Sequence, residues 1–191
     1  MQVRLPYADR VEAGRVLGSL LARSSVTEPG TVVLGLPRGG VAVAAEVADV
    51  LPAVLDVLVV RKLGVPGHAE LAFGAVASGG VQVLNDQIVD RLGLTAEEID
   101  RVATGELAEL RRREESYRQG RPPAALDGRP VVVVDDGLAT GATARAACVA
   151  VRRSGAARLT LAVPVAPKET VRELGAVADE VVCAASPWGF S

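Results

Sequence analysis

Two carboxylates stand side by side at Asp135 and Asp136, directly after Val131-Val132-Val133-Val134 and directly before Gly137-Leu138-Ala139-Thr140-Gly141-Ala142-Thr143. Four consecutive β-branched residues read as a buried strand. The stretch that follows the loop reads as a helix to about residue 154, with Gly155 as its stop. The loop therefore joins a strand's C-terminal end to a helix N-terminus, the edge where open α/β sheets bind ligands. Its N–H groups and those of the helix's first turn converge on one spot, which favours an anion and above all a phosphate. Gly137 and Gly141 let the backbone come close, and Thr140 and Thr143 add hydroxyl donors. Ionised carboxylates only accept hydrogen bonds, so beside a phosphate they need a donor or a cation: sugar hydroxyls, with a shared Mg²⁺ as the alternative partner. The implied ligand is a sugar phosphate with vicinal hydroxyls. A P-loop is excluded because the glycine spacing is shorter and no lysine follows Gly141, and no G-x-G-x-x-G follows any strand.

Two further segments could serve the same ligand. An apolar run at residues 31–36 ends in Pro37-Arg38-Gly39-Gly40, a buried strand entering a glycine loop. A second run at residues 55–60 ends in Arg61-Lys62. The single histidine, His68, rules out Ser-His-Asp and Cys-His constellations, and it lies beside Glu70 in a segment that also contains Gly64, Pro66 and Gly67. Cys148 and Cys183 are far apart and lack zinc-ligand spacing, so they read as small buried hydrophobes.

The elements that must position these residues follow from periodicity. Helices are expected at residues 8–23, 41–51 and 167–174, and strands at residues 159–163 and 181–184. Residues 71–77 and 81–84 flank Ser78-Gly79-Gly80 as a hairpin, and residues 63–70 read as irregular. Thr95-Ala96-Glu97-Glu98 is a capping box that starts a helix reaching to about residue 118. The charges near the end of that helix (Arg111, Arg112, Arg113, Glu114, Glu115) read as a solvated face. Alternating strands and helices predict an α/β fold: a Rossmann-like parallel sheet flanked by helices, in a single domain over residues 1–191.

Composition bounds the function classes. With 21 basic and 23 acidic residues and 3% aromatics, the chain has neither a basic nucleic-acid footprint nor a stacking platform for single strands. No stretch approaches the roughly 20 apolar residues of a membrane span. Asp9 and Glu12 precede the apolar run at residues 16–22, which makes a poor signal peptide and a good amphipathic helix, so a cytoplasmic protein is expected.

The segment from Val131 to Thr143 closely resembles the phosphoribosyl pyrophosphate (PRPP) motif of type I phosphoribosyltransferases. The resemblance extends over residues 31–185 and is nearest to a bacterial branch marked by P-R-G-G and by Arg61-Lys62-Leu63-Gly64 with its downstream Glu70-Leu71-Ala72. It implies that Asp135 and Asp136 hold the ribose hydroxyls, with an indirect role toward Mg²⁺, and that Gly137 and Ala139, Thr140, Gly141, Ala142 and Thr143 cradle the ribose phosphate. It also implies that Arg38, Gly39 and Gly40 bind pyrophosphate, that Arg61 and Lys62 approach it, and that residues 62–80 form a mobile flap under a small hood. In relatives an aromatic residue after the last strand stacks on a nucleobase, which puts Trp188 and Phe190 forward as acceptor contacts or as plugs for a core or homodimer interface. The chain stops within about seven residues of its last strand, and two readings stay open: an incomplete hood or a shortened chain. The activity implied is displacement of pyrophosphate from PRPP by a nitrogenous acceptor. A non-catalytic PRPP or nucleotide sensor on the same fold is the alternative.

Overall fold

The computed structural model describes residues 5–24 and 28–187. Five strands form a parallel sheet: β1 (Val32–Gly35), β2 (Val54–Val57), β6 (Pro130–Val134), β7 (Arg158–Val165) and β8 (Glu180–Ala185), in the order β2-β1-β6-β7-β8. Three more, β3 (Val60–Val65), β4 (His68–Ala77) and β5 (Val81–Leu84), form an antiparallel sheet in sequence order.

The central strands β1, β6 and β7 are buried on both faces, which is why they read as largely apolar runs. Side chains alternate across the pleat. On β6, Val131 and Val133 enter one core with Val32, Leu34, Leu159 and Leu161, while Val132 and Val134 enter the opposite core with Val33. Helix α5 (Ala142–Arg153) covers the first face through Ala144, Ala147, Cys148 and Val151. Helices α1 (Arg10–Leu21) and α2 (Gly39–Val50) cover the second through Leu17, Leu21, Val43 and Val47. A third core joins the antiparallel sheet to α4 (Ala96–Arg118) through Leu63, Phe73, Val76, Ile99 and Leu110. The α4 capping box is complete: Thr95 Oγ1 accepts from the Glu98 N–H at 3.2 Å and a Glu98 carboxylate oxygen accepts from the Thr95 N–H at 2.9 Å.

Three expectations need correction. The strand expected at residues 55–60 is the end of β2 plus the start of β3: the chain leaves one sheet at Leu58 and joins the other at Val60. The run is apolar apart from Asp56, and it carries no mark of that change because Val57, Leu58 and Val59 are buried on either side of the switch. Residues 63–70, expected to be irregular, belong to the β3–β4 hairpin, which pairs Val65 with His68 around Pro66-Gly67. Helix α3 (Asp86–Leu92) is not among the expected elements; it is short and buries no residue fully, packing only the half-buried Ile88 and Val89 against the third core, and the Asn85 side chain caps it by accepting from the Ile88 N–H at 3.3 Å. The hairpin around Ser78-Gly79-Gly80 forms as expected between β4 and β5. Helix α6 (Lys168–Leu174) also forms as expected.

Candidate active site at the sheet's switch point

Strands β1 and β6 are hydrogen-bonded neighbours in register, Gly35 opposite Val134. Their following helices pack on opposite faces of the sheet, α2 on one and α5 on the other. The strand order reverses here, and the divergence opens a crevice at the carboxyl ends of both strands. The P-R-G-G segment and the two-aspartate segment leave the sheet side by side at this point.

The first segment is tied to the second. The Leu36 N–H donates to the Val134 carbonyl at 2.9 Å, and α2 begins at Gly39. A β-carbon on Gly39 would collide with the Asp136 carboxylate, and one on Gly40 would lie 2.7 Å from the Val134 carbonyl oxygen. Only glycine lets the first turn of α2 rest against the aspartates. The Pro37–Arg38 peptide is cis, and the Arg38 side chain is exposed.

The aspartates differ in their surroundings. Asp135 is largely enclosed, and its Oδ1 accepts from the Asp136 N–H at 2.9 Å. Burial pushes its carboxyl up to about 7; the Asp136 N–H works against the rise, and the neighbouring Asp136 charge adds to it. Asp136 Oδ2 accepts from Arg10 Nε and Nη2, each at 2.8 Å.

The loop after them is anchored from below and open above. Leu138 is buried and its N–H donates to the Val165 carbonyl at 3.0 Å, while Thr170 Oγ1 donates to the Ala139 carbonyl at 2.9 Å. Ala139, Thr140 and Ala142 are exposed and Thr143 is half-buried. Gly141 has φ +70° and sits at the N-cap of α5 without a side-chain cap, so no side chain competes for the N–H groups of the first turn. A cavity of about 640 Å³ adjoins this turn, lined by Thr140, Ala142 and Thr143 and, across from them, by Lys62, Asn85 and Gln87.

The sequence reading grouped Arg61 with Lys62, and the strand parts them. Adjacent residues of β3 face opposite sides. Arg61 turns to α4, where Glu106 holds its Nε and Nη2 at 2.7 Å. Lys62 lies exposed on the side of the phosphate loop and has no ion pair among the described residues. His68 is exposed at the hairpin turn, and the Glu70 side chain lies outside the described residues, as do Trp188 and Phe190. Sequence reasoning missed Arg10, which meets Asp136 across 126 positions of chain, and the arginines of α4 that adjoin Arg38. No local pattern marks either contact.

Residues 13–190 match the phosphoribosyl transferase domain. The chain belongs to this family. Proteins of Mycobacterium tuberculosis named "Putative phosphoribosyl transferase" are 54% identical over 181 residues, which is 95% of this chain and 40% of theirs. The chain thus spans well under half the length of these curated relatives. The crystal structure of TT1426 from Thermus thermophilus is 46% identical, with a TM-score of 0.85 over 98% of this chain and 88% of that one. A purine phosphoribosyltransferase from Pyrococcus horikoshii shares the fold at 19% identity, with a TM-score of 0.52 over 99% of this chain and 94% of that one. The parallel sheet flanked by helices is therefore the architecture of type I phosphoribosyltransferases, as the two loops implied. Among the described residues, no helix of this phosphoribosyltransferase family member is long and apolar enough to cross a membrane.

Proposed function

We propose that the chain binds PRPP at the β1–β6 crevice and transfers its phosphoribosyl group to a nitrogenous acceptor, releasing pyrophosphate. One observation carries this reading: two carboxylates, Asp135 largely enclosed and Asp136 partly exposed, lie between two glycine-bearing helix N-termini that have no side-chain caps. A sugar diol supplies the donors that Asp135 lacks and replaces or shares the Arg10 contact at Asp136. The first turn of α5, with Thr140 and Thr143, takes the ribose 5-phosphate, and the first turn of α2, with Arg38, takes pyrophosphate. Lys62 faces the ribose-phosphate side, so in the described conformation it supports the phosphate loop.

The anomeric C–O bond to pyrophosphate breaks as the C–N bond to the acceptor forms, and the acceptor nitrogen gives up a proton. No nucleophile on the protein is required. The chain's own part is positioning and electrostatic stabilisation of the departing charge. Mg²⁺ fits this donor set as an ion carried in with PRPP: two carboxylates face the sugar position, and among the described residues no group of three His, Cys, Asp or Glu closes a cage. Asp135 and Asp136 would hold it, and it would neutralise charge on the leaving group.

Calorimetric titration of PRPP with Mg²⁺ tests the donor site. Wild type should bind, and Asp135→Ala with Asp136→Ala should abolish binding while leaving the circular dichroism spectrum unchanged. Unchanged affinity in the double variant sinks the assignment. Pyrophosphate release on adding nitrogenous acceptors separates turnover from mere sensing.

A further inference from the structure

Arg38 faces a second group of cations. Its side chain lines a cavity of about 440 Å³ whose other walls are Arg112, Arg113, Ser116 and Tyr117 of α4. These four positions recur at i, i+1, i+4 and i+5, one stripe of the helix. Three arginines and two hydroxyl-bearing residues thus line one open space at the outer edge of the P-R-G-G loop.

The arginines of α4 are held but not saturated. Glu109, one turn earlier, accepts from Arg112 Nε at 2.7 Å and Nη2 at 2.9 Å, and from Arg113 Nε at 2.7 Å. Arg112 commits two of its five N–H groups and Arg113 one. Arg38 has no ion pair or side-chain hydrogen bond among the described residues. One carboxylate against three guanidiniums leaves a net positive space, which a phosphate group of about −1.5 to −2 charge would neutralise. A solvated charge face, the expectation from sequence, does not account for arginines of two separate elements lining one cavity.

We propose that α4 supplies the outer half of a pyrophosphoryl subsite: the first turn of α2 holds the phosphate nearer the sugar, and Arg38, Arg112, Arg113 and Tyr117 hold the distal one. The inference rests on the PRPP reading and adds residues to it that the two loop motifs do not contain. Glu109 is then a positioning residue. It orients both guanidiniums in the free protein and opposes the incoming anion.

The test is titration of pyrophosphate and, separately, ribose 5-phosphate into the full chain. Arg112→Gln with Arg113→Gln should weaken pyrophosphate by about tenfold or more, the scale of one or two lost charged hydrogen bonds, and leave ribose 5-phosphate within about twofold. Glu109→Gln should tighten pyrophosphate by a few-fold, a gain that loss of a merely structural contact would not produce. Unchanged pyrophosphate affinity in the arginine variant overturns the proposal while ribose 5-phosphate binding keeps the PRPP reading alive. Equal weakening of both ligands also overturns it, as does weaker pyrophosphate binding in Glu109→Gln. If wild type takes neither ligand, the subsite and the PRPP reading fail together.

Discussion

Asp56 and Asp135 are both enclosed carboxylates of the parallel-sheet layer, and they are treated in opposite ways. Asp56, on β2, has a side chain only 11% exposed and is saturated with partners. It accepts from Arg118 Nε at 2.9 Å, from the Ala124 N–H at 2.9 Å and from the Val57 N–H at 2.8 Å. Arg118 in turn donates to Glu114 at 3.0 Å and to the Val57 carbonyl at 3.0 Å. Burial disfavours the Arg118 charge, but Asp56 and then Glu114 outweigh it and raise its pKa. Among the described residues, Asp135 receives one N–H, from Asp136, and no cation. A carboxylate that serves the fold is satisfied by the fold, whereas one kept for a ligand is left short of donors at some cost in stability.

The largest effect should come from breaking the saturated site. Asp56→Ala strands the Arg118 guanidinium, 12% exposed, next to one remaining carboxylate. Removing one partner of a buried pair costs about 3–5 kcal/mol. Urea unfolding should show that loss, and the folded fraction should still bind ribose 5-phosphate as wild type does. A loss below about 1 kcal/mol would mean that the network is hydrated and the contrast with Asp135 false.

At Asp135 the sign should reverse. Its folded pKa, about 7, lies above the unfolded value of roughly 3.9. The group's contribution to stability is therefore fully present below about pH 4 and is lost as pH rises through 7. Asp135→Asn resembles the protonated form at every pH. Its melting temperature should match wild type near pH 4.5 and exceed it at pH 8, by the equivalent of about 1–3 kcal/mol. The same variant should lose affinity for PRPP. A variant less stable than wild type at pH 8 would show that Asp135 is already satisfied.

The contrast also explains what could be read from the chain. The strand–loop–helix around Asp135 and Asp136 was legible because it is local: β-branched residues, glycines and threonines set it within 13 positions. The parallel sheet was legible from alternation. Asp56 was not, since its partners lie 62 and 68 positions away and its strand reads as apolar. The division between Arg61 and Lys62 was hidden because residues 57–60 form one apolar run across two sheets, which obscured the alternation of β3. The roles of α4's arginines depend on which side of the helix meets Arg38, a matter of packing that charge pattern alone does not encode.

Asp136 stands between the two extremes. It has a cation, Arg10, but the pair is open to solvent, with side chains 60% and 31% exposed. Such a pair is worth under about 1 kcal/mol and weakens with salt. A sugar hydroxyl approaching Asp136 must displace Arg10 or share the carboxylate with it, so the arginine acts as a removable partner where Arg118 is a fixed one. Arg10→Gln should leave the melting temperature within a degree or two and tighten ribose 5-phosphate by up to about fivefold at low salt. At roughly 0.5 M salt the gain should vanish, because the competing contact is already screened in wild type. Weaker binding at low salt would place Arg10 on the ligand's phosphate instead, and Asp136 would then belong with Asp135 as a carboxylate with no protein cation of its own once ligand is bound.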